Sequence, residues 1–466
     1  MLKYVFIFLF SLPMVIISAK PLVLTQSMVD NAKGQLTITA DHTLQGKAIR
    51  LPNKFRLVFK EGKISNGILQ GNQSIIKARP NQEIFDTNLQ IKGTWNVADI
   101  YDCWFAFDDD SSFVSNQLIT NILALAHDNV KNHVHMKAGR TYFFELPYKG
   151  RGDFGEIFSY KMVNGVKKVN YAEVYDDKYS YLRIFTIPSN THLTVDCVLQ
   201  MLPTNIGAYF VFWEKDKRNI TVDGAGRISG DNSIHVFDNP YRGKNYYGEW
   251  GFVFHCVRCK NFVFRDITLT DAFGDCLMFR GSYSKSDSSP RYAEGLTMDN
   301  VKILRARRNG LTVAARNCTI MYCRFEKCGK IHGTFPKSAV DFEADNLPDY
   351  PELGNQNVLL DHCEFVNNER DIASSNNAIL EYGKPATVIS NCIFNNPIKI
   401  CWAYWLKFDN CTIKSFIGAY DKGITNSTWI KNVEFSNCTI LSLPDILRSR
   451  AWKNSFVNCE IKEITK

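Results

Sequence analysis

The feature that most constrains the fold is a short phrase that keeps returning in the C-terminal half of the chain. It reads HCEF at 362–365, NCIF at 391–394, NCTI at 410–413, NCTI at 437–440 and NCEI at 458–461. In each copy, Cys and the Phe or Ile two positions on share one face of a strand. The successive cysteines (363, 392, 411, 438 and 459) lie 19 to 29 residues apart. That spacing suits one turn of a coil, with the longer gaps carrying loops. A unit of this size cannot bury its apolar face alone, so units stack and share one continuous core. No long helices alternate with the strands. The expected fold is all-β, a right-handed parallel β-helix.

The same row explains the cysteines. The chain opens MLKYVFIFLFSLPMVIISA, with Lys3 ahead of an apolar run from Tyr4 to Ile17 and then Ser18-Ala19. This is the pattern of a cleaved signal peptide over 1–19. The run is short for a membrane span, no second run follows, and no Cys stands at the cleavage site for a lipid anchor. A secreted or periplasmic protein is expected. Export would permit disulfides among the 14 cysteines, but an inward row makes them small core hydrophobes instead. Cys256 and Cys259 have a zinc or redox spacing with no matching second pair, so no metal is assigned to them.

A formal charge of +8, with no block of Lys or Arg, argues against nucleic acid and permits an acidic polymer. A monomer is expected. Residues 20–100 read as a small N-terminal β-coil module of short strands, and 101–466 as the β-helix domain. Near 111–126, Ser111 or Ser112 can cap a helix whose stripe is Leu118, Ile119, Ile122, Leu123 and Leu125. Such a helix would lid the open end of a solenoid. His133 and His135 alternate on the strand that follows and read as ordinary strand histidines, not a metal pair. The stretches 146–180, 281–294 and 345–356 read as insertion loops.

The central stretch carries the ionisable residues. NITVDGAGRISGD, then EWGFVF, then DAFGDCLMF, then RRNGLTVAA resembles the pectin-lyase-like β-helix superfamily, and is similar in order to the polygalacturonase-type glycoside hydrolases. The likeness covers 101–466 in architecture and 218–345 in motif. In that family an Asn-Thr-Asp coil precedes Gly-Asp-Asp-Cys, Gly-His-Gly and Arg-Ile-Lys coils. Here Glu249 and Trp250 stand at the first, and Asp275 is kept at the second, with Asp271 four residues earlier. Asn309 replaces the His of the third, and Asp341 and Glu343 stand in place of the basic pair of the fourth. Only Asp275 carries over directly. The resemblance implies a polysaccharide or oligosaccharide substrate, and the lost basic pair speaks against pectin itself.

Glycoside hydrolysis needs one carboxyl as acid and another as base or nucleophile. Aligning Cys276, Gly310 and Ala339 in one row puts Asp275 and Asp341 two coils apart, roughly 10 Å at the usual strand spacing. With Val340 and Phe342 inward, Asp341 and Glu343 face outward together. Asp341 is expected beside Arg307 and Arg308, ionised, as the base. Asp275, at an apolar corner, is expected as the acid. Asp271 completes the catalytic set; Glu249, Trp250, Arg307, Arg308, Asn309 and His235 form the substrate-binding set. Each has a plainer role: Asp275 can simply cap its turn, the acids can simply pair with the arginines, Trp250 can pack under a loop, and His235 can be a loop residue. Hydrolysis needs no cofactor. A lyase or uronate epimerase, the second reading, would need a cation or Arg/Lys to neutralise the uronate, and its calcium-assisted version would use the acidic cluster as ligands. A non-catalytic glycan-binding protein is the third.

Overall fold

The computed structural model describes residues 20–462 other than 109–113, 147–148, 152–156, 164–165, 170–181, 205, 238–249, 283–290, 344–352, 376–382, 418–429, 444–446 and 448–452. The expected signal peptide over 1–19, Glu249, Ser111, Ser112 and much of the three expected insertions lie outside the described residues.

The chain winds as a parallel β-helix. Among the described residues the central coils lay one strand on each of three parallel sheets, and the right-handed sense follows from the crossover that parallel neighbours require. The first sheet holds, among others, the strands Leu182–Phe185, Ala208–Lys215, Trp250–Val257, Leu277–Arg280, Ser338–Glu343 and Arg370–Ser375. The long strand Asn309–Met321 belongs to it by its first half and to the second sheet by its second half. The second sheet begins with Asp99–Tyr101, Asn132–Met136, Thr191–Val195 and Arg218–Asp223. The third, among the described residues, is eleven strands from Thr141–Phe144 to Glu460–Ile461. One apolar core runs from Leu24 to Leu447.

The Cys phrase is the corner between the second and third sheets. His362, Asn391, Asn410, Asn437 and Asn458 each turn that corner in the left-handed region, at φ 49 to 54°. Asn tolerates that conformation better than most residues. The Cys that follows then points inward, and the Phe or Ile two residues on starts or sits in the third-sheet strand. Side chains climb this edge as a ladder. Asn410 Nδ2 donates to Asn391 Oδ1 at 2.7 Å and Asn458 Nδ2 to Asn437 Oδ1 at 3.4 Å. Among the described residues thirteen cysteines are free thiols, and burial pushes those of Cys318, Cys328 and Cys392 up to about 12.

The lid helix spans Asn116–Ala124, starting later than expected. Its buried Asn121 serves the edge strand Leu89–Trp95: Oδ1 accepts from Ile91 N at 2.9 Å and Nδ2 donates to Leu89 O at 2.7 Å. That pairing is what an open sheet edge lacks. Before it, residues 22–95 form two small sheets of short parallel strands and a one-turn helix, Gln26–Asn31. The stretch expected as a loop at 146–180 contains Lys149–Arg151, Ile157–Val163 and Val166–Val169 paired antiparallel. The sequence Val163-Asn-Gly-Val166 is a two-residue hairpin signal that the absence of a longer period hid. Among the described residues no helix is long and apolar enough to cross a membrane.

Candidate functional site

The corner between the third and first sheets is where the predicted residues meet. Leu277, Leu311 and Val340 are paired in register, so the expected alignment of Cys276, Gly310 and Ala339 is the observed one. Met278, Thr312, Asp341 and Ala373 form the next outward row. Val340 and Phe342 enter the core on either side of Asp341.

Asp275 is fully enclosed and heavily bonded. Its Oδ1 accepts from Asn309 N at 3.1 Å. Its Oδ2 accepts from Thr312 Oγ1 at 2.7 Å and from Arg308 Nη1 at 2.8 Å. Arg308 also reaches Glu343 Oε2 through Nη2 at 3.3 Å. Burial raises the Asp275 carboxyl to about 6, against the pull of Arg308 and the Thr312 hydroxyl. The buried Asn309 donates from Nδ2 to Thr312 Oγ1 at 3.0 Å and to Asp341 Oδ2 at 3.1 Å, while its Oδ1 accepts from Ser338 Oγ at 2.8 Å. Three successive hydrogen bonds thus join Asp275 to Asp341.

Several expectations are corrected. Arg308 pairs with Asp275 and Glu343, and Asn309 donates to Asp341. Asp341 is buried beneath that network, although it lies on the outward row; Glu343 and Arg308 keep 22% and 11% of their side chains exposed. Arg307 turns the other way: its guanidinium lies 4.3 Å from the Phe273 ring centroid, and Nε donates to His332 O at 2.9 Å. Asp271 stands apart, bonded to Arg305 at 2.9 and 2.5 Å and to the Ser233 hydroxyl. It lines a cavity of about 230 Å³ with Gln200, Arg227 and Arg305, on the third-sheet side of the corner. His235 is a loop residue, but an enclosed one. It is buried on Phe273 at 3.7 Å and bonded to Asp231 Oδ2 at 2.7 Å, and Asp231 Oδ1 takes the Tyr209 hydroxyl at 2.5 Å.

Trp250 packs with Trp213 against Phe210, Phe252 and Met278. These outward side chains occupy the coil of Asp275 and the two coils before it, on the same sheet face. Arg183 lies 4.4 Å from the Trp213 ring centroid, and buried His255, held neutral by its enclosure, packs 4.9 Å from Phe252. On the opposite flank, Phe335 is 58% exposed, with Lys337 Nζ 5.3 Å and Arg370 5.1 Å from its ring. The sequence reading missed Thr312, Ser338, Trp213 and Phe335. Thr312 was available: the row that aligned Gly310 with Ala339 also sets Thr312 beside Asp341. Phe335 had no periodic signal, because it lies in an irregular turn.

No protein-family model matches the chain. It is similar to the uncharacterized protein YclG of Bacillus subtilis (strain 168), 26% identical over 245 residues, which is 48% of this chain and 41% of YclG. It is also similar to the SPbeta prophage-derived uncharacterized protein YorA of the same strain, 26% identical over 194 residues, 40% of this chain and 32% of YorA. The chain therefore matches less than half the length of either relative. Among solved structures, the polygalacturonase of Erwinia carotovora ssp. carotovora superposes with TM-score 0.44 at 10% identity, covering 77% of this chain and 94% of that one. The tailspike gp49 of Acinetobacter baumannii bacteriophage Fri1, a capsular polysaccharide depolymerase, gives 0.34 at 14% identity over 71% of this chain and 50% of that one. The Streptococcus pneumoniae surface adhesin PfbA gives 0.35 at 12% identity, covering 94% of this chain and 95% of that one. Nothing about a reaction follows from these likenesses.

Proposed function

We propose that this is an exported carbohydrate-active protein, a glycoside hydrolase that cleaves a polysaccharide at the corner holding Asp275, Arg308 and Glu343. One observation carries the reading: Arg308 bridges two carboxyl groups in opposite surroundings, Asp275 enclosed and raised to about 6, Glu343 partly open to solvent. Opposed environments are how a site assigns acid and base to two like groups. Asp275 would give its proton to the leaving oxygen, and Glu343, in contact with solvent, would activate water or stabilise charge. Asp341, held by Asn309, would fix the position of Thr312 and Asn309. Because Asp275 is enclosed, glycan would reach it only with Arg308 displaced from its present place. No cofactor enters this scheme; calcium belongs to the lyase reading. The aromatic side chains Trp213 and Trp250 would face sugar rings along this face of the first sheet.

A second reading has its own support. The enclosure of Asp275 and Asp341 suits a purely structural corner, in which case the protein binds glycan without turnover. Incubation with a panel of neutral and acidic polysaccharides separates these readings. Hydrolysis yields new reducing ends without ultraviolet-absorbing product, and a lyase yields the unsaturated product. Binding without either product would discard both enzymatic readings.

A further inference from the structure

The second sheet carries a different cluster, on its outer face and in the first coils. Asp99, His133, His192 and Thr221 form one register row, and Tyr101, His135, Thr194 and Asp223 another two residues along. Ile100, Val134, Leu193 and Val222 between them enter the core, so both rows face out. The rings of His133 and His135 lie 3.7 Å apart, and that of His192 stacks on His133 at 4.0 Å. Tyr101 stacks on His135 at 4.7 Å. Three imidazoles and two carboxylates thus share one patch.

The geometry points to a divalent transition-metal site of the zinc class, with Asp99, His133 and His135 as ligands. One donor atom from each of the three lies within 4.8 Å of the others. Bonds of 2.0–2.1 Å in a tetrahedral site put neighbouring donors about 3.3–3.4 Å apart. His135 Nε2 and Asp99 Oδ1 stand at 3.3 Å, so the remaining closure is a small rotation of solvent-facing side chains. Two imidazoles and a carboxylate are a donor set that zinc takes, leaving the fourth position to solvent. The surroundings hold these ligands in place. His133 Nε2 meets Thr194 Oγ1 at 2.9 Å, and Thr194 Oγ1 donates to Asp223 Oδ1 at 2.8 Å, while Asp223 Oδ2 holds His192 Nε2 at 2.7 Å. Partners of that kind orient metal ligands.

The position suggests what the ion does. Asp99 lies before the lid helix Asn116–Ala124, and His133 and His135 lie after it. An ion joining them clasps the two strands that flank the lid, at the end of the solenoid where the stack begins. The site is on another sheet from Asp275 and takes no part in the proposed reaction.

Calorimetric titration of untagged, chelator-dialysed protein with zinc chloride tests this. One saturable site per chain is expected, undisturbed by calcium, together with a zinc-dependent rise in unfolding temperature. His133→Ala and His135→Ala should each weaken binding by more than about a hundredfold, beyond the ~10–100-fold that losing an orienting partner costs. Asp99→Asn should also weaken it, while His362→Ala, at a solvent-facing histidine elsewhere, should leave it unchanged. No saturable site in the parent protein, or parent-like binding by His135→Ala, overturns the assignment. Should a variant fail to fold, cobalt bound to the parent decides: the strong visible bands of a four-coordinate imidazole site are expected, and their absence refutes it.

Discussion

Glu214 points inward from the strand Ala208–Lys215 and is fully buried, accepting from Ile187 N at 2.8 Å and from the Thr186 hydroxyl at 3.3 Å. Burial raises it to about 8, well above the ordinary 4.5. A folded value above the unfolded one means the folded state holds the proton more tightly. Its contribution to stability is therefore complete below about pH 4.5 and is lost as pH rises through 8. Asp275 adds the same sign over a lower window, from 3.8 to about 6. Urea unfolding at a series of pH values should show stability falling between pH 6 and 8, and Glu214→Gln should flatten that fall. An unchanged slope in the variant would show that Glu214 ionises freely. Asp275 sets a functional limit too: as an acid it must carry its proton, so turnover should decline as pH rises through about 6.

At the scale of an element, the corner residues make a separable prediction. Asn410 sits at φ 52° and donates to Asn391 Oδ1 at 2.7 Å. Asn410→Ala should cost about 1–2 kcal/mol through the backbone alone. Asn410→Gly spares that strain and loses only the side-chain bond, about 0.5–1.5 kcal/mol. Chemical denaturation of the two variants checks the order; a glycine variant less stable than the alanine one would contradict the left-handed assignment. These corners also show what the sequence made legible. The NC phrase betrayed the coil because one residue must turn and the next must be buried, a constraint local to two positions. The lid helix was legible from its stripe, but its start was not, since Ser115 occupies the cap position without a side-chain cap bond. At the site, periodicity fixed which residues share a row. It could not say whether an outward carboxylate meets solvent, because that depends on what lies over it. Asp341 was therefore expected open beside the arginines and is enclosed on Asn309. Arg307 and Arg308 are adjacent in sequence and so point to opposite sides, which the expectation of an arginine pair overlooked.

For the whole molecule, the account is of a solenoid with one core and a row of buried thiols. Cys363, Cys392, Cys411 and Cys438 are buried, and they stack by burial, not by oxidation. Thiol counting on denatured protein should give the same result with and without reductant; nearly complete oxidation would overturn the core reading. The central claim is that the corner of the first and third sheets is a reaction centre, and it rests on Asp275 and Glu343. Its most direct test is the turnover of Asp275→Asn and Glu343→Gln on a glycan that the parent protein cleaves, with glycan affinity and thermal unfolding measured in parallel. The account predicts turnover reduced by about 10²–10⁴-fold in each variant, with affinity and folding close to the parent. Parent-rate turnover by either folded variant would contradict it.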